Sequence, residues 1–377
     1  MSSRGTLRSG VHSNVIATGG VEAASLMTTG LYRAALVVGL ATWLAAGCGP
    51  RAEERATVRV SESRRLMGAP WTITVHAGSR AAGAAAIAAA FAEIERLERI
   101  LSDYDPASEL SRLSAAAPTP EPVAVGSDLW RVLVTAEALG EKTGGAFDIA
   151  VGPLTALWRQ ARRSGRLPKP DKLAAARAAV GPGTVELVPA TRSVRLPKPG
   201  TRLDAGGIGM GYAADRVLDL LRGRGIEAAL VDASGDVAAA GHPPGADGWR
   251  VAVAGLAGTG ETAAMIELAD GAVTTSGDAF QAVEIDGVRY SHVVDPRTGL
   301  GVVGPAAVTV LAGDCTTADA LATAASVLGP RAGAALIARF PGAAARFMWI
   351  EEGRTRETTT PAWPAPLPQS AGRPRRP

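Results

Sequence analysis

The chain has 377 residues, 47% hydrophobic and 20% charged, which is enough apolar material for a sizeable core and argues against wholesale disorder. Its formal charge of +3 sits at the ends: residues 1–47 carry +2 and the last seven, through Arg373, Arg375 and Arg376, carry +3, leaving −2 on residues 48–370. Without a basic, aromatic-interleaved stripe in that body, binding to nucleic acid has no electrostatic basis.

The first element is an address. From Ala34 to Gly47 the run AALVVGLATWLAAG is uncharged, follows Arg33 and ends at Cys48. It is shorter than the roughly 20 apolar residues of a membrane span but suits the apolar region of a secretory signal. Leu44, Ala45, Ala46 and Gly47 before Cys48 resemble a bacterial lipobox, in which a small residue precedes the cysteine that takes the lipid. The expectation is a lipoprotein signal over 1–47, with a possible start at Met27, and lipidation of Cys48. An uncleaved anchor and an ordinary signal peptide are the alternatives. Cys315 is then left without a disulfide partner and reads as a small core residue.

Residues 48–63 are polar and read as a tether. Trp71, Ile73 and Val75 alternate as in a strand. Ile87, Ala90, Phe91, Ile94, Leu97 and Leu101 follow at helical spacing and predict a helix over 80–101. A second helix is expected from Ser127, as N-cap, to Leu139, closed by Gly140. Residues 162–200 predict a surface excursion with a VELV/SVRL hairpin, and 211–222 a helix. Strands are expected at EAALVDA, VAAAG, WRVAVAG, TAAMIEL, AVTTSG, AVEIDG, YSHVVD and AVTVLA. Helices over 317–328 and 331–339 and a strand ARFMWIEE complete a domain over 64–355, before a Pro-rich disordered tail over 356–377. Many short strands at hairpin spacing, with helices between them, favour an α+β fold.

Four segments carry chemistry. In LDAGGIGMGYAAD (203–215), glycines lead into a helix N-terminus, where bare N–H groups suit an anion such as a pyrophosphate; a plain turn explains the run equally well. VTTSGDAF (273–280) offers hydroxyls to phosphate oxygens or is a polar turn. In RYSHVVDPRTG (289–299), His292 lies three residues from Asp295, a pattern that suits proton transfer, although a lone His is more often structural. In TTADALATA (316–324), Asp319 and Thr323 are i and i+4 on a helix, so their oxygens share a side and suit Mg²⁺ with a phosphate substrate; an Asp at a helix N-terminus with a back-bonded Thr is the simpler account.

In this order, MGAPWTITV, LSDYDPASELSRL, TGGAFDIAVGPLTALWR, LDAGGIGMGYAADRVLDLL, DASGDVAAAG, AVTTSGD, RYSHVVDPRTG and ADALATA resemble the ApbE family, the FAD:protein FMN transferases. The resemblance implies a single catalytic domain of the ApbE type, T-fold-like, with mixed, largely antiparallel sheets flanked by helices. It implies FAD as substrate, contacted by Met67, Tyr104, Ala146, Phe147, Asp148, Gly206, Tyr212 and Val293, and Mg²⁺ held by the Gly209 carbonyl, Asp319 and Thr323. It also implies FMN transfer to a threonine of a periplasmic or membrane electron-transfer protein, release of AMP, and a lipid-anchored place at the periplasmic face of a bacterial envelope. His292 is the candidate base, with Asp319 competing. Met210 stands where many relatives have Lys, Ser234-Gly235-Asp236 where Gly-Gly-Asp is usual, and Gly255-Leu256 where Asp-Pro often ends a strand. The same site could hydrolyse FAD to FMN and AMP, or bind FAD without chemistry.

Overall fold

In a computed structural model, residues 57–256, 264–277, 282–303 and 306–367 are described. Cys48, the signal segment, the tether up to residue 56 and the tail beyond 367 lie outside them. The first alternating segments form a hairpin of β1 (Val58–Leu66) and β2 (Ala69–Ala77). Its two-residue turn puts both Met67 (φ 48°) and Gly68 (φ 75°) in the left-handed region, which matches the twist of the flanking strands. Trp71, Ile73 and Val75 of β2 are fully buried, each contributing about 1.5–3 kcal/mol of apolar burial.

The next stretch holds α1 (Arg80–Leu101), α2 (Glu109–Ala115), β3 (Val123–Ala124), α3 (Ser127–Lys142), α4 (Gly152–Ser164), α5 (Pro170–Ala178), β4 (Glu186–Val188) and β5 (Ser193–Arg195). After these come α6 (Gly209–Arg222), β6 (Ala228–Ala233), β7 (Asp236–Ala240), β8 (Trp249–Val253), β9 (Ala264–Leu268) and β10 (Gly271–Gly277). The chain continues through β11 (Ala282–Ile285), β12 (Val288–Val294), β13 (Gly301–Val303), β14 (Ala306–Ala312), α7 (Cys315–Ile337), β15 (Ala344–Glu351) and β16 (Arg354–Thr359). Among the described residues, eight strands form an antiparallel sheet in the order β1-β2-β6-β7-β10-β14-β15-β16, in agreement with the expected α+β class.

Strand alternation sorts the two faces of this sheet. Ala238 and Ala240 of β7 and Ala272 of β10 join the large core under α1, α6 and α7. Val237, Ala239 and Val273 face the other way, against Trp249, Val251 and Ile266 of the β8–β9 ribbon. A smaller sheet, β11-β12-β13, packs on α4, where Trp158 stacks on Tyr290 and donates Nε1–H to the Gly299 carbonyl at 2.8 Å.

Several expected boundaries move. The tether does not extend to residue 63, because β1 starts at Val58 and pairs with β2 along its whole length. The tail does not begin at 356: β16 pairs with β15, Arg346 bridges to Glu357, and the Leu367 N–H donates to the Met265 carbonyl at 2.7 Å. The 127–139 helix runs to Lys142 through Gly140, and its N-cap is Gly126 rather than Ser127. The 162–200 excursion contains a helix, α5, whose short Ala-rich sequence has no apolar stripe to signal it. The expected last pair of helices is real: Gly329 (φ 74°, ψ 177°) and Pro330 break α7 between them.

Candidate functional site

The glycine run and the 316–324 segment, separate in sequence, meet where α6 starts against α7. A Cβ on Gly211 would lie 2.3 Å from the Cys315 carbonyl oxygen, and one on Gly207 would lie 2.8 Å from Thr323 Oγ1. Close helix approach therefore requires these glycines. The Gly211 N–H donates to Asp319 Oδ2 at 3.2 Å. The α7 N-terminus is held by two acids: Asp314 accepts from the Thr317 N–H, while Asp215 of α6 accepts from the N–H groups of Cys315 and Thr316.

Beneath this junction, the alternation of β7 and β10 turns Asp236 and Thr274 to the same face as α7. Burial pushes the Asp319 carboxyl up to about 7; the Gly211 N–H opposes the shift and the Asp215 charge adds to it. Asp236 is raised well above its ordinary value, first by burial and then by the Asp319 charge, against the Thr275 N–H. No Arg or Lys among the described residues forms an ion pair with either acid. Thr274 Oγ1 is buried without a protein partner. The Cys315 thiol is fully buried and held protonated by burial and by the surrounding acids, as suits a core residue.

The described residues hold no cluster of three or more His, Cys, Asp and Glu side chains fit for a metal. A cation at this junction would instead take hard oxygens: the Asp319 carboxylate, the Thr323 hydroxyl and the Gly209 carbonyl. Two buried acids without a cationic partner make that chemistry fit.

The other expected contact residues are placed unevenly. Tyr104 is 74% exposed and lines a 250 Å³ cleft with Asp103, Ser111, Ser114 and Arg202. Gly206 is exposed, and its N–H donates to Asp204 Oδ1 at 2.8 Å. Met67 occupies the strained left-handed turn position. Ala146 and Phe147 are buried, and both Asp148 carboxylate oxygens are taken by the N–H groups of Ala150 and Gly181, so its side chain braces the loop. Tyr212 is buried, and its hydroxyl donates to Asp128 Oδ1 of α3 at 2.7 Å. Burial would raise Asp128, but hydrogen bonds from Tyr212 and Arg96 outweigh it and lower the carboxyl.

His292 is half-buried on β12, beside buried Val293, and that strand packs on both α4 and α7. Three residues on, Asp295 is bound by the Arg297 side chain through both carboxylate oxygens at 2.9 Å, and the Arg297 backbone N–H adds a third bond. Burial works against the Asp295 carboxylate, yet the Arg297 bonds hold its carboxyl below the usual range. Sequence reasoning missed Asp236 and Thr274 as neighbours of Asp319, since only the strand pairing brings them there.

A sequence model described as the ApbE family matches residues 67–347. The FAD:protein FMN transferase of Treponema pallidum is 34% identical over 321 residues, covering 81% of this chain and 88% of the relative. The protein of the same name from Klebsiella pneumoniae is 31% identical over 331 residues, covering 85% of this chain and 93% of its own length. Among solved structures, the flavin transferase ApbE from Vibrio cholerae superposes with a TM-score of 0.72 at 29% identity, covering 81% of this chain and 98% of that one.

Proposed function

Because the chain belongs to the ApbE family, we propose that it is an FAD:protein FMN transferase, which moves FMN from FAD to a threonine of an acceptor protein and releases AMP. The observation that carries this reading is the buried Asp236–Asp319 pair, without an Arg or Lys partner among the described residues, against a glycine-lined helix N-terminus. Buried without a cation these two acids hold on to protons, and a bound cation that keeps them ionised is also what a pyrophosphate needs to react.

Asp319, Thr323 and the Gly209 carbonyl would hold Mg²⁺, which when bound neutralises charge on the pyrophosphate. Gly206 and Gly207, without side chains, would let backbone approach the phosphates, while the N–H groups of Gly209 and Gly211 are taken by the Ala205 carbonyl and Asp319. The exposed ring of Tyr104 supplies a stacking face. The acceptor hydroxyl oxygen forms the new bond to the FMN phosphorus as the bond to the AMP oxygen breaks. Its proton passes to a base, assigned to His292 with Asp319 as the competing group. The lipobox-like residues before Cys48 support export and a lipid anchor at the periplasmic face of a bacterial envelope, with the acceptor a redox protein of that compartment.

Residues 49–377, incubated with FAD, Mg²⁺ and a threonine-bearing acceptor, should yield acceptor with covalent flavin fluorescence in a denaturing gel. Asp319→Ala should lower that rate by roughly 10²–10³-fold, the scale of losing one main electrostatic stabiliser. Free FMN and AMP with an unlabelled acceptor would mean hydrolysis, and FAD recovered intact would overturn both enzymatic readings.

A further inference from the structure

Tyr104 raises a physical problem: an aromatic ring 74% exposed to water has no packing to hold it in one place, and a mobile ring is a poor stacking platform. The structure answers from α4. The Arg159 guanidinium lies 4.2 Å from the centre of the Tyr104 ring, on one face, in cation–π geometry. That guanidinium is clamped by Asp103 and, at 3.1 Å, by Asp204. Asp204 is locked in turn: Oδ2 accepts from Thr155 Oγ1 at 2.6 Å, one helical turn before Arg159, and Oδ1 accepts from the Gly206 N–H at 2.8 Å. One continuous set of bonds therefore joins the exposed ring to the glycine run.

We infer that Arg159 is a positioning residue for FAD, fixing the Tyr104 ring by cation–π contact and tying it through Asp204 to the glycine run at Gly206. The inference rests on the reading of this protein as an FAD-using transferase. Arg159 need not touch FAD; it removes the entropy cost of ordering Tyr104 when an aromatic group of the substrate stacks on the open face. Its planar, doubly clamped guanidinium suits that task, whereas a lysine would offer a rotating point charge.

The test is a double-mutant cycle on FAD binding, read by quenching of flavin fluorescence and by the split between KM and kcat. Arg159→Leu should weaken FAD binding about 3- to 10-fold and raise KM by a similar factor, with kcat at saturating FAD changed less than twofold. In a Tyr104→Ala background the same substitution should have no further effect. Should Arg159→Leu fold poorly, Asp103→Asn, which releases one side of the clamp, should show a smaller loss with the same dependence on Tyr104. An equal loss with and without Tyr104, or a loss confined to kcat, overturns the inference. Failure of the unaltered protein to bind FAD would instead overturn the functional reading on which it rests.

Discussion

At one end of the glycine run the Asp204 carboxylate is buried with Gly206 N–H, Thr155 hydroxyl and Arg159 guanidinium all donating to it. At the other end Asp319 is buried as deeply, yet has one long N–H bond from Gly211 and the Asp215 and Asp236 charges nearby. A carboxylate supplied with a cation and neutral donors is architecture, since its desolvation is offset inside the fold. A carboxylate left with like-charged neighbours keeps an electrostatic demand that a bound cation meets. Asp128, bound by Arg96 and Tyr212, belongs to the first kind; Glu137, raised to about 7 by burial and by the Asp148 charge, is a milder case of the second.

The strongest way to break this contrast is to part the helices that create the unpaired site. Gly211→Ala places a methyl group 2.3 Å from the Cys315 carbonyl and should cost about 3 kcal/mol by overpacking, seen as a lower urea midpoint with its slope unchanged. Unchanged stability would show that α6 and α7 separate freely, and the crowding of Asp319 would lose its structural cause.

On the paired side, Tyr212→Phe removes the hydroxyl from Asp128 and should cost about 1–2 kcal/mol in denaturant unfolding. The KM for FAD should stay within twofold, because the ring stays buried and the hydroxyl faces α3. A severalfold rise in KM with unchanged stability would return Tyr212 to the flavin contacts that the family resemblance implied.

The smallest effect sharpens the contrast by pH. Glu137 holds its proton to about pH 7 when folded, against an ordinary value of 4.5, so between these values the folded state binds more protons and stability falls as pH rises. Glu137→Gln should match the unaltered protein near pH 4.5 and exceed it at pH 8, by on the order of 1 kcal/mol at most once solvent screening is discounted. Melting curves at the two pH values measure the difference. An advantage over the unaltered protein no larger at pH 8 than at pH 4.5 would mean that the Glu137 carboxylate is not penalised by its burial.

Much of this was legible from residue order. The 80–101 helix has the predicted bounds because its apolar stripe and its Ser79 cap are local signals. The strands from Ala228 to Ala312 were equally readable, since each alternates or is bounded by glycine turns, with the exception of the three-residue β13, too short for a pattern. The i, i+4 spacing put Asp319 and Thr323 on one side of α7, and the glycines marked a close approach without saying to what. Where local signals were weak the boundaries failed. Val58–Ser63 is polar because β1 is an edge strand with mostly exposed side chains, and the segment after residue 356 is ordered by Arg346 across the β15–β16 hairpin and by Met265, far away in sequence.

By itself, then, the sequence determined most of the elements, because periodicity and capping are properties of short stretches, and its ordered motifs carried the resemblance to the family and to its site residues. Tertiary structure alone decided what each acid does. Asp236 meets Asp319 only through the pairing of β7 with β10 under α7, Asp295 is bound by Arg297, and Asp128 takes the Tyr212 hydroxyl. The physical reason is that a carboxylate's charge state and partners depend on burial and on groups brought from distant segments, and no local pattern encodes either.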